Sequence, residues 1–109
     1  MGPAQYQDCI KACYACAQAC DACSAACLQE DDPRMMAHCI ALDIQCAGIC
    51  RLSAEFMSRD GEFARQLCAL CAEVCEACAT ECAGHPAGHC QACAEACRQC
   101  AAACRAMSA

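Results

Sequence analysis

Three stretches of the chain repeat cysteine at alternating spacings of four and three residues. In the first stretch the spacings run 4, 3, 4, 3, 4, an average of about 3.5 residues, which is the repeat of one face of an α-helix. The three cysteine ladders are Cys9, Cys13, Cys16, Cys20, Cys23 and Cys27; Cys68, Cys71, Cys75, Cys78 and Cys82; and Cys90, Cys93, Cys97, Cys100 and Cys104. The pattern predicts helices whose buried face consists of thiols, where other helical bundles have leucine.

The helices and turns follow from helix-breaking residues. Helices are predicted over residues 4–29, 33–58, 62–83 and 89–107. In the first turn Asp32 can cap the next helix and Pro33 can open it; residues 58–61 form the second turn, and residues 84–88, with two glycines and a proline, form the third. No segment alternates with period two. We therefore expect one all-α domain, an antiparallel up-down-up-down four-helix bundle about 30–40 Å long with a cysteine-lined core.

The second helix interrupts the thiol pattern. It contains only Cys39, Cys46 and Cys50, and the same register continues through Met36, Asp43, Ser53 and Met57. Asp43 could be a metal ligand, an anchor for an arginine, or a residue turned away from the core. Separate aliphatic stripes comprise Leu42, Ile49, Leu52 and Phe56 on this helix and Phe63, Leu67, Leu70 and Val74 on the third. These stripes predict either seals between adjacent helices or contacts within a homo-oligomer.

Composition and charge exclude several classes of protein. The net charge is −6 and the seven Lys and Arg are scattered, which argues against nucleic-acid binding. No uncharged run has transmembrane length, and residues 1–7 lack the features of a leader. If the chain is complete, we expect a cytoplasmic protein with reduced thiols and no membrane association. The odd number of cysteines, 19, and their helical spacing oppose a disulfide scaffold.

A core of cysteine and alanine is under-filled, and metal ions held by thiolates can supply both volume and folding energy. Four cysteines around Zn(II) leave two negative charges per site, whereas Cu(I) prefers soft thiolates and can balance them one for one. The sequence therefore favours multiple Cu(I) ions per chain, roughly one per cysteine or on the order of 15–20. Ferredoxin and c-type haem motifs are absent. Thioredoxin-like redox chemistry uses one Cys-x-x-Cys motif at a helix start in an α/β fold, whereas this chain has six of them along its helices.

The two ends of the predicted bundle differ. In an up-down topology the first and third turns share one end, which gathers Met35, Met36, His38, His85 and His89, including all three histidines of the chain. Histidine and methionine bind copper without adding negative charge, so we expect this end to be the mouth. The opposite end has Met57 and Met107 near Cys9 and Cys104, and we expect it to be a closed floor.

These ladders resemble those of the bacterial copper storage proteins, small four-helix bundles that hold Cu(I) thiolate in their interior. The resemblance covers residues 8–107, and the absence of a leader points to the cytosolic branch. It implies a homotetramer, Cu(I) bound by all 19 cysteines, and His85 and His89 as entrance ligands, with His38 a looser match.

The expected function is cytosolic storage and detoxification of Cu(I), and we expect no enzyme activity. Copper would come from a copper chaperone or a small-thiol pool. The alternatives are a zinc or mixed soft-metal sequestration protein, a copper transfer chaperone holding one or two ions, and a thiol-redox protein. The number of ions bound at saturation separates storage, zinc sequestration and copper transfer, and turnover of disulfides without metal would indicate a thiol-redox protein.

Overall fold

Four α-helices make up most of the computed structural model, which describes residues 3–109. They are α1 (Gln7–Cys27), α2 (Ala37–Ser58), α3 (Ala64–Ala83) and α4 (Gly88–Ser108), and short 3₁₀ segments, Pro3–Tyr6 and Pro33–Met36, precede α1 and α2. No strand occurs within this described part. Met1 and Gly2, the first two residues of the segment predicted to lack leader features, lie outside the described residues.

Helices consecutive in the chain pack against each other, and α4 also packs against α1. This arrangement confirms the predicted up-down-up-down bundle. The structure measures 46 × 18 × 17 Å. Its long dimension exceeds the predicted bundle length because the 3₁₀ segments and turns add to the helices. The 3₁₀ segments are also the main departure from the predicted bounds, since α1 and α2 begin three and four residues later than expected.

Local contacts explain where the helices begin and end. The Asp32 carboxylate accepts a hydrogen bond of 3.2 Å from the backbone N–H of Arg34, as its predicted capping role requires. After α2, Asp60 adopts a left-handed conformation with φ 54°, and the N–H of Gly61 donates to the carbonyl of Phe56 at 2.9 Å. This is a Schellman termination. At the third turn the Gln91 amide donates to the carbonyls of Ala83 and His85 at 3.2 and 2.7 Å, which holds that turn closed.

The interior consists of the cysteine ladders, and the seams between helices consist of alanine. All 19 cysteines are buried. The buried alanines are Ala17, Ala47, Ala54, Ala64, Ala72, Ala79, Ala94 and Ala101. Most of them are next in sequence to a ladder residue, one step round the helix toward a neighbouring helix. The small alanine side chain allows the helices to approach closely, which keeps the thiols of all four helices within reach of one another.

The predicted register of α2 is confirmed. Its buried positions include Met36, Cys39, Asp43, Cys46, Cys50, Ser53 and Met57. By length and composition alone, Pro33–Ser58 could cross a membrane, with a mean hydropathy of 1.3 in its most apolar window. The helix nevertheless contains a buried carboxylate and packs against α1 and α3, so a core position in the bundle accounts for its hydropathy.

Several apolar side chains remain exposed on α2 and around α3. Ile44 is 63% exposed, and Leu52, Phe63 and Leu70 are exposed to 43–57%. Leu42, Ile49, Phe56 and Val74 are only partly buried against the core. The aliphatic stripes therefore divide. One part seals the seams within the chain, and the other faces outward.

Candidate metal centre

Thiols from all four helices meet along the axis of the bundle. Cys46 on α2 shows the arrangement, because its Sγ lies 3.7 Å from Cys16 on α1, 3.6 Å from Cys75 on α3 and 3.9 Å from Cys97 on α4. All 19 cysteines are free, and their Sγ atoms approach to 3.4–4.0 Å, well beyond the roughly 2.05 Å of a disulfide. The ladders thus form one water-poor interior of unpaired thiols.

Within this interior, sets of four sulfurs lie within 4.8 Å of one another. Five such sets are Cys13, Cys71, Cys100 and Cys104; Cys16, Cys46, Cys50 and Cys75; Cys16, Cys20, Cys46 and Cys97; Cys20, Cys78, Cys93 and Cys97; and Cys23, Cys27, Cys39 and Cys90. Cys16 and Cys46 belong to two of these sets, as do Cys20 and Cys97. Shared sulfurs are suited to bridging, so the interior can hold a continuous cluster more readily than separate mononuclear sites.

Burial keeps the thiols protonated when no metal is bound, because the charged form is poorly solvated there. It raises the pKa of Cys90 to about 11, with Cys27 nearby adding to the effect. The pKa values of Cys23 and Cys39 are also raised, again mainly by burial. These three thiols are therefore protonated at neutral pH when no metal is bound, and each of them must release a proton before its sulfur binds a metal.

Asp43 is completely buried among these thiols, with an exposed fraction of 0%. The thiols of Cys78, Cys93 and Cys82 donate to Oδ1 at 3.2, 3.3 and 3.5 Å, and Cys39 approaches Oδ2 at 3.9 Å. Burial raises the pKa of this carboxyl to about 6. Of the three readings of Asp43 left open by the sequence, the structure excludes a side chain turned away from the core and shows thiols, not an arginine, around the carboxylate.

At the predicted floor of the bundle a methionine lies against a thiol. Met57 is fully buried, and the Cys68 thiol donates to its Sδ at 3.5 Å. Cys9 and Cys104 lie 3.7 Å apart at the same end. Ser53, one helical turn before Met57, is buried, and its hydroxyl has no hydrogen-bond partner among residues 3–109. The Ser53 hydroxyl thus occupies a ladder position without a hydrogen bond to offset its burial.

The mouth brings one histidine to a thiol. Nε2 of His89 lies 3.6 Å from the Sγ of Cys27. These two side chains are close enough to bind one ion at the entrance. The same nitrogen lies 3.4 Å from a carboxylate oxygen of Glu30. Met36 is buried, with 6% exposure, and lines a cleft with Glu30 and His85. His89 and Met36 therefore lie at the end of the bundle that the sequence predicts to be the mouth.

His38 and His85 instead turn to Glu81. Nδ1 of His38 lies 2.9 Å from Oε1 and Nε2 of His85 lies 2.7 Å from Oε2 of this residue. The His38 side chain is 72% exposed. Neither ring is brought to a cysteine sulfur among the described residues. Both remain predicted entrance ligands, but their observed partner is a carboxylate outside the thiol interior.

Sequence reasoning missed both carboxylates at this end. Glu81 stands four residues before His85, and this spacing places two residues on one helical face, so it was available as a signal. Glu30 is 59 residues from its partner His89, and nothing local to either residue indicates the contact. The pairing depends on how the first and third turns meet.

The family assignment follows from one comparison. The family model described as copper storage protein matches residues 3–109. The chain belongs to the copper storage protein family. The match covers every ladder, every turn and both ends of the bundle, so all the features described above lie within the family's own fold.

Solved copper storage proteins share this fold closely. The Cu(I)-bound protein BsCsp3 is 48% identical, with a TM-score of 0.93 over 96% of this chain and 99% of that one. The apo form of copper storage protein 3 from Bacillus subtilis is 48% identical, with a TM-score of 0.91 over 95% and 99%. A cytosolic copper storage protein from Streptomyces lividans, loaded with five coppers, is 40% identical with a TM-score of 0.93 over 97% and 93%.

Proposed function

We propose that this chain stores and detoxifies many Cu(I) ions in the cytoplasm, and that it is not an enzyme. The observation that carries the proposal is the continuous interior of free thiols at 3.4–4.0 Å from one another. The Cu(I)-bound and copper-loaded states of its relatives support it. The ions are cargo, taken up and returned.

Charge, more than distance, favours Cu(I) over zinc. Three sulfurs around an ion with bonds of about 2.3 Å lie about 4.0 Å apart, and four around a tetrahedral ion lie about 3.8 Å apart, so the observed spacings suit either metal. Zinc at one ion per four thiolates would place about five ions, or ten positive charges, among 19 thiolates and leave about nine negative charges buried. Cu(I) at about one ion per thiolate leaves none.

The proposed ligands are the 19 cysteines, with His89 and Met36 at the mouth and His85 and His38 as further entrance ligands. Shared sulfurs such as Cys16 and Cys46 would bridge neighbouring ions. The contact of His89 with Cys27 at 3.6 Å supports a first binding step there, since imidazole adds no charge and holds Cu(I) less tightly than thiolate. Copper would then pass inward toward the set formed by Cys23, Cys27, Cys39 and Cys90.

Copper would be delivered by a copper chaperone or a small-thiol pool, because free Cu(I) has no stable aqueous form to draw on. We propose a homotetramer as the working assembly. Exposed Ile44, Leu52, Phe63 and Leu70 support an apolar contact between copies. The description of the Streptomyces relative as cytosolic supports the proposed location.

The metal-free bundle should remain folded. Its alanine seams and the partly buried Leu42, Ile49 and Phe56 do not depend on metal, and the apo form of the Bacillus subtilis relative has the same fold. Thiols at van der Waals distance already pack as small apolar side chains. Filling with copper would therefore stabilise an existing structure and would not create it.

The test is an anaerobic titration of the reduced protein with Cu(I), with helical circular dichroism followed in parallel. Saturation at roughly 15–20 ions per chain with unchanged helicity is expected. Saturation at one or two ions would indicate a copper transfer chaperone and not a storage protein. Tight binding of about five Zn(II) that Cu(I) cannot displace would favour zinc sequestration, and metal-independent reduction of disulfide substrates would indicate a redox protein.

A further inference from the structure

The last two turns of α2 supply no thiol to the interior. Cys50 is the final cysteine of this helix, and the next buried positions in its ladder register are Ser53 and Met57. The other three helices continue with cysteine to the floor. One set of four close sulfurs there comes from α1, α3 and α4 alone and consists of Cys13, Cys71, Cys100 and Cys104. At the floor, α2 therefore contributes a thioether where each of the other helices contributes a thiol.

The sulfur of Met57 is part of the sulfur lining at this end. Its side chain is fully buried, and the thiol of Cys68 donates to its Sδ at 3.5 Å. Cys68 also lies close to Cys9 and Cys104, which are themselves 3.7 Å apart. These four sulfurs come one from each helix, so Met57 completes the ring of sulfurs at the floor.

A neutral ligand is suited to the end of a row of bridging thiolates. In such a row each ion lies between two sulfurs, so there is one ion fewer than there are sulfurs and one negative charge stays buried. An additional Cu(I) at the end of the row cancels that charge, but it needs a second ligand that carries no charge. A thioether is soft and neutral, so Met57 meets both requirements.

The distance between the two sulfurs can accommodate an ion after a small adjustment. Two sulfurs that share a three-coordinate ion, with bonds of about 2.3 Å, lie about 4.0 Å apart. The Sδ of Met57 and the Sγ of Cys68 lie 3.5 Å apart, so they must separate by about 0.5 Å. Methionine is unbranched and flexible, and rotation about its side-chain bonds allows this movement without a shift of the backbone.

We propose that Met57 is a Cu(I) ligand, whose thioether holds the innermost ion at the floor together with the thiolate of Cys68. The proposal rests on the proposed storage function and assigns a residue to it that is not a cysteine. Met57 would then do more than fill the end of the core, which leucine would do equally well.

Selenium X-ray absorption on the Cu(I)-filled protein, labelled with selenomethionine, tests this ligand directly. Met36, the methionine proposed as a ligand at the mouth, is first replaced by leucine so that its selenium does not contribute. The chain has five methionines, so Met36→Leu leaves four, and copper is expected to be bonded to about one quarter of their selenium atoms. A filled Met36→Leu protein without a selenium–copper bond would overturn the proposal.

Two further substitutions in the Met36→Leu protein make the test specific. Adding Met57→Leu should abolish the selenium–copper bond, and leucine fills nearly the same volume, so the fold should be retained. Helical circular dichroism checks this. Adding Met107→Leu is the matched control, because this residue is at the same end but only partly buried, and the bond should persist. A bond that survives Met57→Leu, or that is lost in Met107→Leu, would overturn the assignment to Met57.

The Cu(I) content, measured before the spectra, distinguishes this ligand from the proposed storage function. A protein that fills with many Cu(I) ions but shows no selenium–copper bond would contradict the Met57 ligand alone. Failure to fill at all would contradict storage at the loading step and would remove the Met57 site with it.

Discussion

The thiol of Cys93 on α4 donates a hydrogen bond to Oδ1 of Asp43 on α2, over 3.3 Å across the centre of the bundle. Cys78 and Cys82 on α3 donate to the same oxygen. The carboxylate of Asp43 therefore accepts hydrogen bonds from thiols on two other helices. It lies between the mouth and the middle of the interior. The core thus contains a carboxyl group that can ionise even when no metal is bound.

Asp43 should make the metal-free protein more stable in mild acid. Burial raises the pKa of its carboxyl from 3.8 to about 6, so the folded state binds a proton more readily than the unfolded state. Stability is then lowest above pH 6 and rises as the pH falls through 6 toward 4. Between pH 7.5 and 5 the gain should be about 1 kcal/mol in the free energy of unfolding, measured by urea titration of the reduced apo protein.

Asp43→Asn isolates this contribution, because the amide has nearly the same shape and does not titrate. The variant should lack the gain between pH 7.5 and 5. An identical rise in parent and variant would show that other groups are responsible and that Asp43 is not the titrating residue.

Ser53→Cys should raise the copper capacity by about one ion per chain. The residue occupies a buried ladder position, and its hydroxyl has no partner. The substitution also removes an unsatisfied polar atom, so the apo protein should gain about 1 kcal/mol of stability. Ser53→Ala is the control, since it should give a similar gain in stability without the extra copper. Copper contents that do not differ between the two variants would contradict a thiol-lined site at this position.

Filling the interior with copper should release about one proton for each Cu(I) bound near pH 7. The reason is that burial favours the protonated form of a thiol, as at Cys90, where it raises the pKa to about 11. A pH-stat titration in weak buffer, with a Cu(I) donor that does not itself titrate near pH 7, measures the ratio. A four-thiolate zinc site would release about four protons per ion, so a ratio near four on loading would argue for discrete tetrahedral sites.

Ile44→Lys should weaken the association between copies of the chain. The side chain is 63% exposed on α2, and a charge placed in an apolar contact would be left without a partner. Sedimentation at several protein concentrations should show a shift toward the monomer, with Cu(I) content per chain unchanged. Gln18→Lys, at an exposed polar position of α1, provides a charge-matched control. A tetramer of undiminished stability in the Ile44 variant would remove this residue from the interface.

The fold and the thiol interior were predictable because both depend on local periodicity. A ladder residue such as Cys46 is buried for the same reason as every third or fourth residue of its helix, and Asp43 and Ser53 follow that register despite their polarity. The assignments at the mouth were harder. His38, His85 and His89 all lie at the predicted end, yet within the described part of the chain only His89 reaches a thiol. Ring direction depends on contacts across turns, such as Glu30 with His89, which no repeat in the sequence encodes.

The alanine seams have a further consequence. Since the helices are joined at alanine positions and the cargo space is lined by a separate set of residues, mutation can alter one set without disturbing the other. Met57, Asp43 and Ser53 are buried at positions in the register of the cysteine ladder without being cysteine. The same scaffold could therefore gain or lose storage capacity in single-residue steps over evolutionary time, with folding conserved throughout.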